Sequence, residues 1–356
     1  MMKRVFCLFS LSFVFLAFNP AADASSACES VTAENPGPTA DCLVFMEAFS
    51  GPNVEPIALD RYTLSFYSFW RVGPDAVNLY DGPGGSMVGQ IPPGFNFVRA
   101  LDTSVDDWLQ IEGGQWVSRL EAELTQPSPF RGVQLSNGLE RPFAWVVDTT
   151  GIYASEYPSG PPSQATGRVP LRYEIVNIFA EAVDSEGWTW YMIGADQWVN
   201  QRFVSVIKGV ERPEGVSGRW VAVDLYEQTL VAYEDDSPVF ATLVSTGLPG
   251  WDTNEGVFTV WARLEVDGMS GATGAPDAYA LQSIPWIQYF DNDISLHGTY
   301  WHDLFGYRRS HGCVNMSISD ARFVHQWLGD AEPDENDDVQ HYVYVHSSGT
   351  YTNQQG

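Results

Sequence analysis

The sequence predicts a mainly β protein: two small β-barrels in series, followed by a β-rich domain with one notable helix. Three observations predict it. Trp108-Leu-Gln-Ile111-Glu-Gly-Gly-Gln115-Trp116-Val117 and Trp190-Tyr-Met-Ile193-Gly-Ala-Asp-Gln197-Trp198-Val199 share five positions at an offset of 82, and self-similarity at a fixed spacing marks a repeated structural unit. Around these segments apolar and polar residues alternate between Gly and Pro turns, the period of half-buried strands. A convincing helical spacing occurs once, just after Cys313.

Composition bounds the function. A chain of 356 residues with 20 Phe, 16 Tyr, 13 Trp and 44% hydrophobic content is neither disordered nor collagen-like and has apolar surface for two or three compact domains. Its 18 basic and 45 acidic residues give a formal charge of −27, and Lys3 and Lys208 are its lysines. Without a cationic surface to displace counterions from a phosphate backbone, the expectation is no nucleic-acid partner.

The elements follow in chain order. Residues 1–24 combine Lys3 and Arg4, an apolar run from Val5 to Phe18, Pro20 and Ala22-Asp23-Ala24, the layout of a secretory signal peptide cut before Ser25. The run is short for a bilayer span and no later apolar stretch approaches the needed length, so a secreted chain with no transmembrane anchor is expected. The leader, residues 25–65, holds Cys28 and Cys42, which would pair in an oxidising compartment. Acylation of Cys28 is the alternative, disfavoured by Ser25 where a large aliphatic residue is wanted. Cys7 leaves with the signal, and Cys313 is left without a partner.

Residues 66–124 and 142–209 each read as a small barrel. Val77-Asn-Leu-Tyr80 and Pro92-Pro-Gly94 precede the first copy of the repeat; Gly151-Ile-Tyr153 and Val169-Pro-Leu171 precede the second. Arg212-Pro-Glu-Gly215 is a linker. In residues 218–346, Trp220 to Leu225, Gln228 to Tyr233, Val239 to Ser245 and Gly256 to Ala262 read as strands. Ser317 and Asp320 form a capping pair for a helix that puts Ile318, Ala321, Val324 and Leu328 on one face and stops at Gly329. Asp330 to Asp338 holds six acids and no base; it lacks the spacing of an EF-hand and reads as a solvated loop. Tyr342 to His346 is a closing strand, and 347–356 a tail.

The chemistry centres on Cys313. A thiol attacks as thiolate, so it needs a base nearby and a cradle of donors for the oxyanion it creates. Ser310-His311-Gly312-Cys313-Val314-Asn315 supplies a Gly before the nucleophile, permitting a tight backbone with convergent N–H groups. Ile294-Ser-Leu-His297-Gly298-Thr299 reads as a strand ending in a histidine that faces a cleft. His302, His325, His341 and His346 have no motif around them. One cysteine and scattered histidines make no ligand set, so no metal or cofactor is expected.

These motifs carry two resemblances. The repeated "W-x-x-I … Q-W-V" units resemble bacterial SH3-type (SH3-like) domains of cell-wall enzymes. Whether such units bind the wall or only space the next domain stays open. Residues 218–346 resemble an L,D-transpeptidase catalytic domain on a His-Gly, a spacer of 12 residues from Gly298 to Arg309, and Ser-His-Gly-Cys-Val-Asn. Val223-Asp-Leu225, Gln228-Thr-Leu230, Ser245-Thr-Gly247 and Thr253-Asn-Glu-Gly-Val-Phe258 match the family's entry strands, with Asn254-Glu255 replacing a commoner Pro. The resemblance implies a secreted, wall-located enzyme that cross-links peptidoglycan through a thioester, with tetrapeptide stems as partners and a carbapenem able to form an adduct at Cys313. It makes Cys313 the nucleophile, His297 the base and the Gly298 carbonyl its orienter. The N–H groups around Gly312 and Cys313, with the Tyr279 hydroxyl, form the oxyanion hole. His311 is a positioner, Ser310 and Asn315 hydrogen-bond the loop, and Arg308 and Arg309 meet a donor carboxylate, lower the thiol pKa, or form a solvated turn. A papain-like peptidase would place its base after the nucleophile, whereas His297 precedes Cys313. A non-catalytic wall-binding protein would not need Ser-His-Gly-Cys.

Overall fold

The computed structural model describes residues 27–49, 51–272, 274–275, 277–329 and 340–350. The expected signal peptide, the acidic run 330–338 and the end of the tail lie outside the described residues. The described chain is mainly β, with helices α1 (Ala40–Ala48), α2 (Arg61–Phe66) and α3 (Ile318–Gly329). No helix among the described residues is long and apolar enough to cross a membrane.

Two large sheets sandwich the main core. One has seven strands in the order Val54–Pro56, Val133–Leu135, Ser237–Leu243, Thr229–Glu234, Arg219–Asp224, Tyr342–His346, Gly256–Thr259. The first two come from the leader and from the segment between the repeat units, so the sheet recruits strands from outside residues 218–346. Tyr342–His346 is an interior strand, parallel to Arg219–Asp224 and antiparallel to Gly256–Thr259. The second sheet has eleven strands; Val314–Met316, Ile294–Gly298 and Tyr279–Asp291 lead into Phe95–Asp102 and the rest of the first repeat unit. A long hairpin partner, Ala262–Gly271, flanks Tyr279–Asp291.

Between the sheets lie Val221, Val223 and Leu230 from one side, Ile287, Leu296 and Val314 from the other, and Ile318, Ala321, Val324 and Leu328 of α3. Full burial of such side chains contributes roughly 1.5–3 kcal/mol each. Phe69 and Phe97 of the first repeat unit belong to this same core, and the Phe69 ring stacks on Tyr300 at 3.8 Å. The first unit, expected as a small barrel, has a core of its own around Val72, Leu109 and Val117 and also joins the eleven-stranded sheet. Its strand Phe95–Asp102 pairs in parallel with the long strand (Phe95↔Tyr279, Phe97↔Leu281). The second unit is built from two three-stranded sheets, Ile175–Asn177, Phe143–Val146, Val204–Ile207 and Ala180–Val183, Thr189–Gly194, Gln197–Asn200.

Polar pins fix these parts to one another. Asp60 caps α2 by accepting the Thr63 N–H at 3.1 Å, and also accepts from Trp286 Nε1 and Arg322, each at 2.8 Å. A carboxylate this buried is tolerable only with so many donors. Lys208 pairs with the buried Glu227 at 2.7 Å, whose other oxygen accepts the Val206 N–H. The second unit is thereby tied to the turn after Arg219–Asp224. Cys28 and Cys42 form a disulfide that packs on Trp198 and Met192, so the leader docks on the second unit.

Helix α3 begins as its sequence signals, with Ser317 Oγ accepting the Asp320 N–H at 3.1 Å. The Asp320 carboxylate does not return to the cap. It points inward and accepts from Gly132 N at 2.7 Å and Thr242 Oγ1 at 2.7 Å, joining α3 to the seven-stranded sheet.

Candidate active site

Two parallel strands set the geometry. Ile294–Gly298 and Val314–Met316 pair with Leu296 opposite Val314 and His297 opposite Asn315. Side chains two apart on a strand share a face. Ser295 and His297 therefore stand together, next to Cys313 and Asn315.

Cys313, the free cysteine of the described chain, is half-buried. Its Sγ lies 3.7 Å from Ser295 Oγ and 3.8 Å from the Asp293 carbonyl oxygen. Burial pushes the thiol pKa up; the Ser295 N–H and hydroxyl pull it down, and the Asp293 carboxylate adds to the rise. The resting Cys313 side chain is a neutral thiol. His297 is 2% exposed, and its Nδ1 is 3.2 Å from the Gly298 carbonyl oxygen. That carbonyl can only accept, so Nδ1 carries the proton and Nε2 is the basic nitrogen. Burial drives the His297 pKa down to about 4, against a smaller upward pull from the Gly298 bond. A neutral thiol and a neutral imidazole line one cleft of about 320 Å³.

The loop before Cys313 is tied to itself and to its surroundings. Gly312 has φ +115°, and a Cβ there would press on Ile294 at 3.3 Å. Its N–H donates to Ser310 Oγ at 3.1 Å, so this N–H is occupied within the loop rather than free for an oxyanion. Its carbonyl accepts from Thr253 Oγ1 at 2.7 Å. Ser310 Oγ in turn donates to the Cys313 carbonyl. The His311 ring packs between Trp251 at 4.5 Å and Tyr279 at 5.2 Å. Tyr279 lines the cleft, and its pKa is raised by burial, then by the Cys313 and Asp293 charges.

Arg309 lines the cleft as well. Arg308 is not among the lining residues and forms an ion pair with Asp252 at 3.4 Å. The apolar side of the cleft comes from Phe95, Met269, Leu281 and Trp301, and Phe95 belongs to the first repeat unit. Asn315 lies on the wall with its Nδ2 position 3.0 Å from His302 Nε2. Burial, then the Arg309, His297 and Arg172 charges, push the His302 pKa down to about 3.

Sequence reasoning missed four of these residues. Ser295 was within reach, being two positions before His297 on a strand. Thr253 sat inside a matched motif without a role. His302 had no local motif, and Phe95 arrives from another part of the chain through a ladder that no local pattern announces.

Residues 218–345 match the YkuD family model, the L,D-transpeptidase catalytic domain; this stretch is a domain of that kind. No curated protein matches the chain. Solved structures similar to it include an L,D-transpeptidase from Stackebrandtia nassauensis, 29% identical over 40% of this chain and 62% of that one, with a TM-score of 0.30. An L,D-transpeptidase from Xylanimonas cellulosilytica is 26% identical over 38% of this chain and 63% of that one, with a TM-score of 0.28. L,D-transpeptidase 3 from Mycobacterium tuberculosis, in complex with a faropenem-derived adduct, is 18% identical over 44% and 77%, with a TM-score of 0.32. The chain spans less than two thirds of the length of the first two.

Proposed function

We propose that this protein is an exported L,D-transpeptidase that remodels peptidoglycan by cysteine acyl-enzyme chemistry on stem peptides. The observation that carries the reading is the neutral pair in one cleft: the Cys313 thiol beside Ser295, and His297 with Nδ1 committed to the Gly298 carbonyl. Because the thiol is not pre-ionised, its proton passes to His297 Nε2 as Sγ bonds to the donor carbonyl carbon. The tetrahedral oxyanion falls to the Cys313 N–H and the Tyr279 hydroxyl. Collapse breaks the C–N bond; the leaving amine takes the proton from His297, and a thioester remains. An acceptor amine then attacks the thioester, gives its proton to His297, and restores the thiol as the new amide forms.

The test uses the purified chain with a disaccharide-tetrapeptide donor and an amine acceptor, read by mass spectrometry. Transfer product and a single covalent carbapenem mass are expected for the wild type, and neither for Cys313→Ala with an unchanged melting temperature. Release of hydrolysed stem with no transfer would make the enzyme a peptidase instead, and product from Cys313→Ala would overturn the nucleophile.

A further inference from the structure

His302 and Asn315 meet in an arrangement that only one pair of orientations satisfies. The Leu304 backbone N–H is directed at His302 Nδ1 at 3.2 Å, so Nδ1 is an acceptor and the neutral ring holds its proton on Nε2. That Nε2 stands 3.0 Å from one head of the Asn315 carboxamide, assigned as the nitrogen. A ring N–H cannot bond an NH2 group, and the two heads of a carboxamide have the same shape. The contact becomes a hydrogen bond when Oδ1 is the head turned to His302. Asn315 is 1% exposed, and its second head has no protein partner. With Oδ1 turned to His302, that second head is a buried NH2 group without a protein partner, on a residue that lines the Cys313 cleft.

We propose that His302 is a positioning residue: by donating its Nε2 proton to Asn315 Oδ1 it turns the Asn315 NH2 group into the cleft, where it receives a carbonyl or carboxylate oxygen of the donor stem. The ring is well placed to hold this orientation. It packs on Phe305 at 5.3 Å and Trp301 at 6.4 Å, and nearby Arg309 and Arg172 oppose a second proton on it. The buried NH2 donor then discriminates, because a substrate without an oxygen at that point leaves it unpaired in the bound state. The consequence for the substrate rests on the transpeptidase reading above; the orientation itself does not.

The two parts are tested separately. In protein with 15N-labelled histidine, the His302 ring is expected to show a protonated Nε2 and an unprotonated Nδ1 at neutral pH; a proton on Nδ1 overturns the orientation whatever the enzyme's activity. His302→Phe keeps a ring and removes the donor. Its KM for the tetrapeptide donor is expected to rise about tenfold, with kcat within a factor of about two, the size of one lost directional hydrogen bond. In an Asn315→Asp background the same change should add little, since the head it orients has already been altered. An unchanged KM in a folded His302→Phe, or an equal effect in both backgrounds, overturns the positioning role. A wild type that neither transfers nor is acylated while showing the Nε2 proton overturns the proposed function and leaves the orientation standing.

Discussion

At the scale of single residues, the site is tuned by desolvation more than by charge. His297 has no carboxylate among the groups that shift its pKa; burial takes it to about 4 against a smaller upward pull from the Gly298 bond, and the Gly298 carbonyl fixes which nitrogen is basic. The His297 imidazole is therefore neutral across the ordinary pH range. The acid limb of the acylation rate is expected to lie near pH 4, well below the value near 6.5 of an exposed histidine, and a β-lactam acylation profile measures it directly. His297→Gln should slow acylation by about 10²- to 10⁴-fold, the usual worth of a general base. His311 makes ring contacts with Trp251 and Tyr279, so its replacement should cost less and act through loop placement. The reverse ranking would exchange their roles.

At the scale of elements, the first repeat unit contributes Phe95 to the wall of the Cys313 cleft. The Phe95 N–H donates to the Ala278 carbonyl at 2.8 Å, the Arg99 N–H to Gln282 Oε1 at 3.1 Å, and Ser283 Oγ to Glu112 at 2.8 Å. These bonds hold the start of the strand that carries Tyr279. A Cβ on Gly94 would sit 2.6 Å from the Ala278 carbonyl oxygen, whereas one on Gly89 of the same unit would meet Leu79 at an ordinary 3.7 Å. Gly94→Ala should therefore lower kcat/KM by about tenfold or more through a displaced strand, of the order expected when misplacement spoils a reacting geometry. Gly89→Ala should leave it near wild type, and equal values for the two would separate the unit from the chemistry. What the sequence made legible follows the same division. His297, Cys313 and α3 announce themselves because a motif or a 3.6-residue period is local. Val54–Pro56 and Val133–Leu135 are too short to show a period, and the ladder from Phe95 to Tyr279 joins segments far apart in the chain. Asp320 was legible as a cap partner, yet its carboxylate serves Gly132 and Thr242, a role that only tertiary packing assigns. The two copies of the repeat likewise look alike in sequence but differ in setting: Trp198 is fully buried under the disulfide, and Trp116 is half-exposed.

At the scale of the whole molecule, buried and half-buried histidines set the response to acid. Burial lowers the pKa of His297, His325 and His341 to about 4, of His302 to about 3, and of His346 as well. The unfolded chain binds those protons below about pH 6.5 and the folded chain does not, so stability is full above that pH and is lost as pH falls towards 4 and 3. Asp320 runs the other way. Burial raises it to about 6, so its contribution is present below the ordinary carboxylate range and is lost as pH rises through 6. Denaturant unfolding between pH 3 and 8 is expected to show stability climbing with pH, and Asp320→Asn should steepen the climb between about pH 4 and 6. A flat profile in the wild type would mean that these histidines are not buried in solution.

The position of Tyr342–His346 has a consequence for how the molecule comes into being. This strand follows both Arg219–Asp224 and Gly256–Thr259 in the chain, yet it lies between them, while Val54–Pro56, far earlier in the chain, is an edge of the same sheet. The central sheet therefore cannot close piece by piece in chain order. Its strands stay open until this later segment threads into the gap, and pairings between such distant segments form slowly. Cutting the chain after Gln340 would remove a keystone and leave two unpaired strand edges, the surface through which partly folded chains find one another.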